Sequence, residues 1–202
     1  HVSKIIYKKK IWEISLKKKK KIFSKALIIT CPYPQLKKLA KNYLNKKMLN
    51  LNIKMEPNIT VMLAIKNKNL PISSISFNND DVSWAANENS KKRFISNINL
   101  WTLQSSIKYS KKNINIYKKD KRVQNYLIST FLKLTGFKKN KIIYKKIHGW
   151  KYSYNFNRSP LKSYWNKKYK LGVCGDWFIG SKAENAWESA VNLYNRQKKS
   201  PI

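Results

Sequence analysis

The sequence of 202 residues predicts an α/β or α+β fold built on a mixed sheet. Two observations predict it. Short runs rich in Val, Ile, Tyr and Trp alternate along the chain with stretches whose apolar residues recur at helical spacing. A hydrophobic fraction of 42%, with 7 Trp, 12 Tyr and 7 Phe, is also enough for a core despite a formal charge of +35, which excludes a disordered basic tail.

Residues 4–7 and 11–16 predict two short strands around the basic turn Lys8-Lys9-Lys10. Beyond the run Lys17 to Lys21, Ala26 to Thr30 is continuous enough to predict a buried strand, stopped by Pro32 and Pro34. Leu36, Leu39, Ala40, Tyr43 and Leu44 then predict a helix over 35–44. A second region begins near Met48. Pro57 to Ile65 predicts a strand buried by its Val61 to Ile65 stretch, and Ile72, Ile75 and Phe77 predict another that ends at the turn signal Asn78-Asn79-Asp80-Asp81. Val82 to Ala86 leads into a polar loop, Asn87 to Lys92, and Asn99 to Ser105 is a strand with Trp101 and Leu103 on one side. Val123, Tyr126, Leu127, Thr130, Phe131 and Leu134 form one helical face, closed by Gly136. Ile142 to Tyr154 is extended, Leu171 to Cys174 is a short apolar strand, and Ser181 to Gln197 is a helix.

The charge carries less information than its size suggests. Only four of the 44 basic residues are arginine, and the forty lysines are accompanied by 23 Asn and 23 Ile. Lys, Asn and Ile share A/T-rich codons, so one compositional bias explains all three, whereas phosphate recognition favours the planar fork of Arg. No apolar stretch exceeds five residues, so no predicted helix crosses a bilayer, and no export signal opens the chain. Cytoplasmic location is expected on that ground. Cys31 and Cys174 have no zinc-like spacing, and with only His1 and His148 present no metal site is expected. The chain begins at His1 inside a β-ribbon, as a truncated product or an excised domain would.

Against a composition poor in glycine, four of the five glycines fall between residues 149 and 180. There the stretch Leu171-Gly172-Val173-Cys174-Gly175-Asp176 runs through Trp177-Phe178-Ile179-Gly180 into Glu184-Asn185-Ala186-Trp187-Glu188-Ser189. Read physically, a buried strand enters Gly-Asp, crosses a short loop and starts a helix. An aspartate among Val, Trp, Phe and Ile is costly to bury without hydrogen bonds, which ligand hydroxyls could supply. The free N–H groups of the following helix favour an electron-rich ligand group, and Gly175 would let it approach the main chain. The competing reading is a loop aspartate paired with one of the lysines.

This segment resembles the C-terminal flavin-binding motif of the renalase-like branch of the flavin-containing amine oxidase family, a strand ending in Gly-Asp followed by Glu-x-Ala-x-x-Ser. Further pieces agree in order. Thr30-Cys31-Pro32-Tyr33-Pro34-Gln35 is similar to the family's Pro-x-Pro-Gln element, and Trp84 with Ala86 to Lys91 resembles a loop of its active-site domain. Trp101 to Ser106 with Tyr109-Ser110 resembles its next strand and a Trp-Ser pair, Tyr109 replacing the Trp. His148-Gly149-Trp150-Lys151-Tyr152 resembles its His-x-Trp-x-Tyr strand.

The resemblance implies a mixed-sheet substrate domain plus the C-terminal part of a Rossmann-like FAD-binding domain. Residues 1–47 would be partial FAD-binding domain, 48–147 the substrate-binding domain, and 148–202 the return to the FAD-binding domain. It implies FAD as cofactor, with NAD(P)H as a candidate electron donor, and a small-molecule substrate. Gly175 and Asp176 would contact the ribityl-phosphate region, and the helix start near Glu184, Asn185 and Ala186 would place donors beside the flavin pyrimidine carbonyl. Trp150 and Tyr152 would lie on the substrate side. No side chain is assigned as catalytic, since the flavin carries the chemistry. The sequence contains no Gly-x-Gly-x-x-Gly turn, so an N-terminal FAD-binding segment is the expected missing partner, and the chain alone is expected to be inactive. The alternative is a lysine-rich nucleic-acid-binding module without catalysis. Against it stand the absence of an RRM signature or zinc knuckle and aromatics that do not cluster with the lysine runs.

Overall fold

A computed structural model of the chain describes residues 1–17, 20–66, 71–78, 80–93 and 97–198. Lys18 and Lys19 of the basic run and Asn79 of the predicted turn lie outside the described residues. The chain divides into two compact units, His1–Met55 with Tyr154–Ile202, and Glu56–Ser153.

The first unit opens with β1 (Val2–Lys8), β2 (Ile11–Leu16) and β3 (Lys21–Ser24), an antiparallel meander in which Tyr7 faces Trp12 across the first pair. The two-residue turn between β1 and β2 puts Lys9 at φ 49° and Lys10 at φ 61°, the left-handed pair that a tight hairpin needs and that Asn-Gly usually supplies. Next come β4 (Leu27–Ile29), α1 (Tyr33–Ala40), a 3-10 turn over Lys41–Tyr43, and α2 (Lys46–Leu49). The predicted helix over 35–44 is thus cut at Ala40, and its last residues tighten into the 3-10 turn. Pro34 lies in the first turn of α1, where its missing N–H costs nothing.

The second unit takes up β5 (Met55–Ile65), β6 (Ser74–Ser76), β7 (Val82–Asn87), β8 (Asn99–Ser105), α3 (Ile107–Asn113), α4 (Lys121–Thr135) and β9 (Ile142–Asn155). Its sheet has the order β6-β7-β8-β5-β9, with β6–β7, β7–β8 and β8–β5 antiparallel. Burial alternates strictly along β8, so Trp101 and Leu103 enter the core with Val61, Leu63, Leu127 and Phe131. Asp120 caps α4 by accepting the Arg122 N–H at 2.9 Å, and Gly136 closes it at φ 72°, its N–H donated to the Leu132 carbonyl at 2.8 Å. The buried face of α4 is Val123, Leu127, Ile128, Phe131 and Leu132. Tyr126 and Leu134, predicted on that face, are exposed instead, because the contact stripe runs one position around the helix.

The chain returns to the first unit with β10 (Tyr164–Asn166), β11 (Leu171–Val173), a 3-10 turn over Asp176–Phe178, and α5 (Ala183–Lys198). β10, β11 and β4 form a mixed sheet in that order, β10–β11 antiparallel and β11–β4 parallel. One face of it carries Leu171, Val173 and Ile29 into a core with Trp12, Leu36, Met48 and Phe178. On the other face α5 lays Leu193 over Gly172. The continuous apolar run at 26–30 predicts a fully buried strand, yet Ile28 is 55% exposed. β4 is the edge of the sheet among the described residues, so that side chain has no strand beyond it to pack against. Also among the described residues, no helix is long and apolar enough to cross a membrane.

Candidate functional site

The register Leu171↔Leu27, Gly172↔Ile28 and Val173↔Ile29 brings the C-terminal ends of two parallel strands out side by side. Thr30-Cys31 leaves one and Cys174-Gly175-Asp176 leaves the other. In open α/β sheets, ligands bind in the crevice beyond such ends.

Asp176 stands first in the 3-10 turn, half-buried, and its Oδ1 accepts the Trp177 N–H at 2.8 Å. Burial holds its carboxyl above the usual aspartate range, and the backbone N–H groups of Trp177 and of Asp176 itself pull the other way. Among the described residues no Lys or Arg lies within ion-pair distance of it. The lysine-paired loop reading of Asp176 therefore finds no partner among the described residues, in a chain that carries forty lysines.

At Gly175 a Cβ would stand 2.7 Å from Trp177 Nε1 and 2.9 Å from its Cδ1, so the indole takes the space a side chain would need. The ring is fixed by donating Nε1–H to the Cys31 carbonyl at 3.2 Å and by stacking on Phe178, with ring centroids 3.9 Å apart. Glycine at 175 lets the turn fold over Trp177, and Asp176 is held at the rim by that anchor.

Three polar residues hold the turn from behind. Ser189 of α5, fully buried, accepts the Gly175 N–H at 3.0 Å and donates to the Lys162 carbonyl at 2.6 Å. Asn155 donates Nδ2–H to the Trp177 carbonyl at 2.9 Å, and its own N–H goes to Ser181 Oγ at 2.6 Å. The Ser159 N–H reaches the Phe178 carbonyl at 2.9 Å. Ser189 is the Ser of the Glu-x-Ala-x-x-Ser pattern, so its position was visible in the sequence and its task was not. Asn155 carried no signal, since Ser181 lies 26 residues away.

Glu184, Asn185 and Ala186 occupy the first turn of α5, with Glu184 and Ala186 exposed. They are not equivalent as donors. The Asn185 N–H is already given to the Lys182 carbonyl at 3.1 Å, whereas among the described residues no acceptor takes the N–H of Glu184. Glu184 contributes a carboxylate favourable to the helix dipole.

Trp150 and Tyr152 belong to the second unit. The odd-numbered side of β9 packs inward there, since a Cβ on Gly149 would collide with the Tyr117 ring. Strand alternation puts Trp150 and Tyr152 on the opposite face, Trp150 54% exposed and edge-on to His148 at 4.4 Å between centroids. Both cysteines are free, with burial raising their thiol pKa values. Among the described residues no group of three or more His, Cys, Asp or Glu could hold a metal ion.

No protein-family model matches the chain. Solved structures do. The Exiguobacterium sp. 255-15 protein assigned as a protoporphyrinogen oxidase superposes with a TM-score of 0.68 at 9% identity, over 98% of this chain and 46% of its own. A putrescine oxidase carrying three substitutions made to redesign cofactor binding superposes at 0.64 and 6% identity, over 98% of this chain and 47% of its own. Wild-type putrescine oxidase bound to putrescine gives 0.62 at 7%, with the same coverage.

The chain shares the mixed α/β fold of the matching part of these oxidases. The chain spans about half the length of the oxidases it matches.

Proposed function

We propose that the chain is a fragment of a renalase-like, FAD-dependent amine-oxidase-type oxidoreductase, holding the later part of the FAD-binding domain and the substrate domain. The observation that carries the reading is Asp176, a half-buried carboxylate beyond the end of a parallel strand, kept free of every described cation in a lysine-rich chain. An aspartate that only stabilised the fold would gain from such a partner.

The residues present fit the cofactor. An ionised carboxylate has about four acceptor positions, and the backbone N–H groups of Asp176 and Trp177 leave capacity for ribityl hydroxyls. Bound FAD supplies the hydride-accepting ring, with a small molecule or NAD(P)H as donor. Asp176 would orient the ribityl chain, with Gly175 setting the turn. The start of α5 near Glu184, Asn185 and Ala186 would place backbone donors beside the pyrimidine carbonyl, with the Glu184 N–H not given to any described acceptor. Trp150 and Tyr152 would line the substrate side. Domain roles are proposed for the expected segments 1–47, 48–147 and 148–202, although the two compact units divide instead at Met55/Glu56 and Ser153/Tyr154.

The remaining half of the site would come from a segment bearing the Gly-x-Gly-x-x-Gly turn. Support for such a segment is the edge position of β4 with Ile28 exposed, since parallel strands are ordinarily covered on both sides. The test is to express the chain with the coding sequence that precedes it, add FAD, and record the visible absorption spectrum after gel filtration. Retained flavin absorption is expected. Folded, colourless protein would overturn the proposal.

A further inference from the structure

The second unit holds a groove that shares no residue with the flavin reading. It has a volume of about 420 Å3 and lies between α4 and the start of β9. Its apolar lining is Ile128, Leu132, Ile142 and Ile143, of which Ile128 and Leu132 are core residues showing one side to the groove. Lys139 and Lys145 stand on the same groove, and no Asp or Glu does. Lys145 is steadied by donating Nζ–H to Asn125 Oδ1 at 3.1 Å, a bond that leaves its charge uncompensated. Among the described residues neither lysine has a carboxylate within ion-pair distance. An apolar trough of this size with two lysines on its lining has the make-up of a small-molecule site.

From this pairing we infer that the groove binds a single-chain amphipathic anion, its alkyl chain along Ile128, Leu132 and Ile142 and its carboxylate between Lys139 and Lys145. Apolar burial supplies affinity that grows with chain length, and the two ammonium groups select the sign of the head. A cationic amphiphile of equal length would meet the same trough and be repelled.

Calorimetric titration of the intact chain with monomeric octanoate, decanoate and dodecanoate tests the inference. One saturable site is expected, tightening several-fold per added methylene. The double variant Lys139→Glu/Lys145→Glu should weaken dodecanoate at least tenfold. Ser129→Trp, which places an indole in the groove from an exposed position of α4, should abolish binding. The control Lys46→Glu/Lys47→Glu makes the same change in net charge on exposed residues of α2 and should bind as wild type. Circular dichroism of each variant separates lost binding from lost fold. Absence of a saturable site, equal binding by dodecyltrimethylammonium, or equal losses in the groove and control variants would overturn the inference.

Discussion

Ser189 accepts the N–H of Gly175 at 3.0 Å, joining the middle of α5 to the residue before Asp176. The same hydroxyl donates to the Lys162 carbonyl, so one buried side chain satisfies two backbone groups that have no ladder to enter. The turn that presents Asp176 is therefore set by a helix residue fourteen positions later in sequence.

Ser189→Ala is expected to destabilise the chain by about 1–3 kcal/mol, because it leaves a buried donor and acceptor unpaired. Urea denaturation monitored by circular dichroism measures this. A midpoint equal to wild type would show that water or a backbone shift replaces the hydroxyl.

Gly175→Ala is expected to cost about 1–3 kcal/mol through overpacking against the Trp177 indole. The cause is separable from a general backbone effect. In a Trp177→Phe background the same substitution should cost less, with a coupling of at least about 0.5 kcal/mol in a double-mutant cycle. Additive costs would remove the indole as the reason for glycine.

Asp176→Asn is expected to raise the thermal midpoint near neutral pH. Burial holds the folded carboxyl above its ordinary pKa of 3.8, so ionisation is harder in the folded state than in the unfolded one. That penalty is absent below the unfolded pKa, where both states are protonated. It grows as pH rises through the window between the two values and is complete above the folded one. The advantage of Asn should accordingly shrink toward zero on acidification below the ordinary aspartate range. A variant less stable than wild type at neutral pH would contradict the account.

Lys10→Gly is expected to stabilise the first unit by about 1 kcal/mol, since a lysine held at φ 61° bears the left-handed penalty that glycine does not. Denaturant midpoints of the two chains decide it. The lysines at φ 48° to 61° (Lys9, Lys10, Lys92 and Lys170) show the compositional bias acting on turns where glycine or asparagine is usual.

Much of this architecture was legible in local pattern. The alternation in β8, the apolar stretch of β5 and the αL glycine closing α4 each specify their element without help from the rest of the chain. Others were not, among them three short elements. β3 (Lys21–Ser24) is exposed at three of its four residues and merges with a lysine run, β10 is three residues long, and α3 shows only Ile107 and Tyr109 as apolar signal. Each is specified by pairing or packing with a distant partner, which a single sequence does not display. The same limit applies to the turn at 175–181. Gly-Asp before a helix was visible, but that Trp177 fills the space beside Gly175, and that Asn155 and Ser189 hold the loop, follows only from the fold.

The central claim is that Asp176 is kept uncompensated for a flavin. The most direct measurement is the FAD dissociation constant, by equilibrium dialysis, of wild type and Asp176→Ala, each expressed with its preceding coding sequence. The account predicts a loss of at least tenfold in the variant with the fold intact by circular dichroism. Equal affinity in the two proteins would contradict it.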